Sequence, residues 1–73
     1  MNQQERLTLK SARMMRGLTQ SEMAEKLNVH RNTYAHWEED PESISVAKAN
    51  EICAILNVSI DNIVFFGQQI YKM

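Results

Sequence analysis

Arg31, Asn32 and His36 are the side chains of this 73-residue chain whose types and spacing invite a specific chemistry. On a helix from about His30 to Glu39, at roughly 100° per residue, Arg31, Asn32, Ala35, His36 and Glu39 share one arc. Thr33, Tyr34, Trp37 and Glu38 fill the other side. One face then offers two aromatics to a core, and the opposite face presents donor-rich side chains to solvent. Those donors suit the edges of bases in a duplex groove: a guanidinium meets guanine, and an asparagine carboxamide meets adenine. Every solvated amphipathic helix has a polar face, so the weight falls on the elements that lead into this one.

Metal binding and catalysis find no comparable set. His30 and His36 stand too far round one helix to share an ion, and Cys53 has no partner cysteine. With only two glycines the chain has no phosphate-cradling glycine loop. Neither an enzyme, a metal, a cofactor nor a small-molecule substrate is expected.

The stretch from Thr19 to Glu38 must position the three donors. Thr19 and Glu22 have the spacing of a capping box, in which each side chain satisfies a backbone donor at the other residue. Met23, Ala24 and Leu27 follow as one apolar stripe. Asn28 tolerates the left-handed conformation that ends a helix in a sharp turn. Val29 plugs the corner, and the small Ala24 stands where two steeply angled helices would cross.

The remaining chain reads as scaffold. A first helix is expected from Glu5 to Arg16, with Leu9, Ala12 and one of Met14 and Met15 turned inward, and Gly17 as its stop. Arg13 falls among the inward positions. Glu39 to Ser43, with Pro41, is a polar loop. A helix from about Ser45 to Leu56 turns Val46, Ala49, Ile52, Cys53 and Leu56 to one core. Ser59 caps a short fifth helix, and Ile60, Ile63 and Val64 close the core. The fold class is therefore all-α with five helices. The chain is expected to be one complete domain, 1–73, with its core over about 5–66 and a tail at 67–73.

Charge qualifies the nucleic-acid reading without removing it. The net charge is −1, but six of the eight basic residues lie between Met1 and Arg31, against three acidic ones. From Asn32 onward two basic residues face six acidic ones. A polarised molecule can orient on a duplex without being basic overall. The lone Cys53 in an apolar pattern reads as a small buried hydrophobe in a reducing cytoplasm. No apolar run approaches the length of a membrane span.

From Leu9 to about Val64 the chain resembles the Cro/phage-repressor type of helix-turn-helix domain, the XRE class. Leu9-Lys10 and Arg13, Gly17-Leu18-Thr19-Gln20, Met23-Ala24-Glu25-Lys26-Leu27, then Val29, Tyr34 and Glu38, and finally Leu56-Asn57-Val58-Ser59-Ile60-Asp61 carry the likeness. Asn28 and Asn57 stand where that family usually has Gly, His30 replaces a Ser or Thr cap, and Trp37 is bulkier than the usual aliphatic residue. The resemblance implies that Arg31, Asn32 and His36 reach base edges, and that Gln20 holds a phosphate and braces a recognition side chain. Thr33 and Lys26 become phosphate candidates, and Arg13 pairs with Glu38 to lock the first helix to the recognition helix.

The function expected from this is double-stranded DNA binding by a small transcriptional regulator of phage or prokaryotic type. A homodimer would sit on a two-fold operator and repress by occlusion. Phe65, Phe66, Ile70 and Tyr71 make the tail richer in large apolar groups than a free tail should be. Either the tail is a dimer contact, or Phe65 or Phe66 completes the monomer's own core. The rival reading is a protein-interaction module of the same fold, an antitoxin or antirepressor gripping its partner through that tail.

Overall fold

Three helices end in the same way, and that shared ending shapes the domain. The computed structural model describes residues 7–63. Within them lie α1 (Leu9–Met15), α2 (Gln20–Leu27), α3 (Arg31–Glu39) and α4 (Val46–Leu56). Gly17, Asn28 and Asn57 follow α1, α2 and α4 with φ of 72°, 60° and 58°. After each, a backbone N–H returns to the last turn: Leu18 to Arg13 at 3.3 Å, Val29 to Ala24 at 3.0 Å, Val58 to Cys53 at 3.1 Å. Such left-handed ends satisfy carbonyls that the helix leaves orphaned. Asparagine carries two of the three because its short polar side chain tolerates this region.

The starts are equally well determined. Thr19 Oγ1 accepts the Glu22 N–H at 3.0 Å, and Glu22 Oε1 accepts the Thr19 N–H at 2.8 Å. Thr8 and Ser11 form a second capping box, which puts the start of α1 at Leu9 rather than Glu5. Extended backbone at Thr8 ends the helix there; the preceding Leu7 instead makes a parallel bridge to Ile63. Ser45 caps α4. At α3 the His30 ring does the work of a hydroxyl, Nδ1 accepting the Asn32 N–H at 3.1 Å.

The fifth helix expected after Ser59 is, among the described residues, a single 3-10 turn over Ile60–Asn62, and Pro41–Ser43 forms another between α3 and α4. Ser59 still caps its turn, its hydroxyl accepting the Asp61 N–H at 3.2 Å. The turn stops there because Ile63 is extended, with φ of −117° and ψ of 140°, and pairs with Leu7 instead. Val64, Phe65, Phe66, Ile70 and Tyr71 lie outside the described residues.

Leu9, Ala12, Met23, Ala24, Leu27, Tyr34, Ile44, Ala49, Ile52, Cys53, Leu56 and Ile63 form the core. Two expectations fail against it. Both Met14 and Met15 are exposed, at 59% and 70%. The inward stripe of α1 is Leu9, Ala12 and Arg13, and the next two residues rotate away from it. Val46 is 61% exposed as well, while Ile44, just ahead of the cap, is buried.

Two cations join helices end to side. Arg16 at the end of α1 donates through Nε to Leu56 O, 2.6 Å, at the end of α4. Lys48 on α4 donates through Nζ to Leu27 O, 3.2 Å, at the end of α2. Each meets a carbonyl end where the helix dipole favours positive charge. Among the described residues no helix is long and apolar enough to cross a membrane.

Candidate nucleic-acid interface

Helix α3 is held by one face only. Tyr34 is fully buried and Trp37 half-buried beside it, their rings meeting edge to face at 6.4 Å and 75°. An edge-to-face pair of this kind adds about 0.5–1.5 kcal/mol beyond its burial. On the other side Arg31, Asn32 and His36 are exposed, and Thr33, expected on the side of the aromatics, is exposed as well because it stands next to His36 at the boundary of the two faces. The corner at Asn28 and the packing of α2 against α3 set the direction in which that face looks.

Arg13 anchors α3 from behind. Its Nε donates to Glu38 Oε2 at 2.6 Å and its Nη2 to Glu38 Oε1 at 3.3 Å, a fork on a carboxylate. Nη1 donates to Leu18 O at 2.7 Å, so the same guanidinium ties down the loop into α2. Both side chains of the pair are almost wholly buried. Burial alone would raise the Glu38 carboxyl, but hydrogen bonding by Arg13 and Gln20 outweighs it and holds the carboxyl below its ordinary value. Burial pushes the Tyr34 phenol up, which keeps it neutral. The Tyr34 hydroxyl sits beside the pair without a hydrogen bond of good geometry.

Gln20, the first residue of α2, bridges this buried pair to the exposed face. Its Nε2 donates to Glu38 Oε1 at 3.0 Å, and its Oε1 accepts from Arg31 Nη2 at 3.4 Å. Around the bridge opens a cleft of about 490 Å³ lined by Lys10, Arg13, Gly17, Leu18, Thr19, Gln20, Ser21 and Arg31. Lys10 and Arg31 give it a positive character, the charge of Arg13 being balanced by Glu38. The start of α2 lies on its rim, where backbone N–H groups and the helix dipole favour an anion.

The structure thus brings Gln20, Arg31, Arg13 and Glu38 into one connected group. Asn32, Thr33 and His36 continue the exposed face of α3, and His36 makes only a loose 3.9 Å contact with Asp40. Lys26 is exposed near the end of α2. Lys10 and Ser21 join the cleft although the sequence assigns neither a site role: Lys10 enters only as part of the family likeness, and Ser21 reads as an ordinary helix-surface residue. A surface position on one helix reveals its neighbours only once the crossing of α1 and α2 is known. No group of three His, Cys, Asp or Glu side chains that could hold a metal occurs among the described residues.

Comparison with curated proteins finds no match, and comparison with solved structures finds none either. A family model described as helix-turn-helix matches residues 9–63, the stretch from the start of α1 to the bridge at Ile63. That match covers most of the chain, and the corner between α2 and α3 with its exposed second helix is the geometry the family uses. The chain belongs to the helix-turn-helix family of Cro/phage-repressor type, the XRE class of DNA-binding regulators.

Proposed function

We propose that this domain is an operator-specific repressor that reads the major groove with α3 and acts as a homodimer by occlusion. The observation that carries this reading is the exposed face of Arg31, Asn32 and His36, set beside a positively lined cleft at the start of α2. Arg31 pairs with guanine and Asn32 with adenine, each good contact discriminating by about 1–3 kcal/mol. His36 extends the readout along the groove. Lys10 and the start of α2 face the phosphates, and Thr33 and Lys26 flank them. Phosphate contacts fix position and register, whereas the base contacts carry the sequence information. Homodimerisation is supported by the two half-site geometry such domains use, with Phe65, Phe66, Ile70 and Tyr71 as the proposed contact.

Selection of binding sites from a random duplex pool at near-physiological salt tests the reading. An inverted repeat with half-sites about one helical turn apart is the expected product. A single unpaired site would remove the homodimer from the account. Absence of enrichment by folded protein would replace DNA reading with protein interaction through the apolar tail.

A further inference from the structure

Gln20 is oriented from both ends, and that orientation has a consequence for recognition. A carboxylate only accepts hydrogen bonds and a guanidinium only donates them. With Glu38 Oε1 at 3.0 Å from one amide atom and Arg31 Nη2 at 3.4 Å from the other, the nitrogen must face Glu38 and the oxygen must face Arg31. Glu38 is itself fixed by the fork from Arg13. A continuous polar chain therefore runs from the buried pair to the first residue of the recognition helix: Arg13, Glu38, Gln20, Arg31.

We propose that Glu38 is a positioning residue for DNA recognition, holding Gln20 so that its carbonyl oxygen restrains Arg31 toward the guanine it reads. This role rests on the DNA-binding reading above and deepens it. Arginine has much rotamer freedom to lose when it docks, and a side chain already restrained loses less on binding. The restraint acts at the one base pair that Arg31 contacts. Reversing the amide would set two donors against each other at Arg31 and leave Glu38 facing an acceptor, so the flip is selected by the ion pair rather than by the DNA. Of the two roles that the resemblance implies for Gln20, phosphate donor and brace, the second is then primary, and its orientation comes from Glu38.

The test uses the full chain and the duplex enriched from a random pool by the unaltered protein. The base pair whose preference disappears in Arg31→Ala is identified first. Gln20→Met, at the half-buried surface of α2, is expected to lower the preference at that pair by roughly three- to tenfold, with other positions and the salt slope unchanged. Adding Gln20→Met to Arg31→Ala should cause no further loss. Arg13→Met with Glu38→Leu, which replaces the buried pair by apolar side chains, should reproduce the Gln20→Met loss at the same base pair.

A uniform loss across all sequences in Gln20→Met, with the log–log salt slope reduced by about one, would overturn the bracing role and make Gln20 a phosphate donor. Unchanged preference in folded Gln20→Met would overturn it too. Should the unaltered protein enrich no sequence, the DNA-binding reading itself falls, an outcome visible before any variant is measured.

Discussion

Arg13 and Glu38, 25 positions apart in sequence, meet at 2.6 Å in the interior and join α1 to the far end of α3. Removing one partner strands the other as an uncompensated buried charge, which costs about 3–5 kcal/mol. A domain of this size has only about 5–15 kcal/mol in total. Urea unfolding of Arg13→Ala or Glu38→Ala should therefore give a much lower midpoint than the unaltered protein. Arg13→Met with Glu38→Leu should be more stable than either single variant. If both single changes lowered the unfolding free energy by less than about 1 kcal/mol, the pair would be outside the group of buried ion pairs described by that cost.

The same pair sets an acid limit on stability. The Glu38 carboxyl is depressed in the folded state below its ordinary value of 4.5. Its charged form is therefore favoured by folding, so its contribution is fully present above the ordinary value. That contribution falls away as pH drops through the folded value. Thermal melts between pH 7 and pH 3 should show this loss in the unaltered protein. Arg13→Met with Glu38→Leu should lack that component, and parallel profiles for the two proteins would contradict the assignment.

Asn28 and Asn57 each hold left-handed backbone, at φ of 60° and 58°. A β-branched side chain there would meet the full steric cost of the conformation, about 1–2 kcal/mol. Asn57→Val should lower stability by that amount, measured by urea midpoint, whereas Asn57→Gly should keep or raise it. Equal stability of the two variants would mean that the turn after α4 changes its conformation on substitution.

What was legible in the sequence follows the range of the forces involved. The capping box of Thr19 and Glu22, the left-handed asparagines and the stripe of Met23, Ala24 and Leu27 are local, so a few adjacent residues specify them. Thr8 and Ser11 escape the same logic because Ser rather than Glu or Gln completes their box. Val46 and whichever of Met14 and Met15 is expected inward are exposed instead, because helical periodicity names a face without saying how far along the helix the core reaches. Ile44 takes up core space from outside any helix, where periodicity has no purchase. At the interface, the exposed face of α3 could be drawn on a helical wheel. The link from Glu38 through Gln20 to Arg31 leaves α3, passes through α2 and returns to α3, so it depends on how those two helices cross, which no local pattern encodes.

Sequence-selective reading by α3 is tested most directly by comparing the unaltered protein with Arg31→Ala, Asn32→Ala. Affinity would be measured for the pool-selected duplex and for a shuffled duplex at the same salt. The account predicts that the ratio of the two affinities falls about a hundredfold or more, from the loss of two base contacts, with the thermal melt unchanged because both side chains are exposed. A folded double variant that kept the selectivity of the unaltered protein would contradict it.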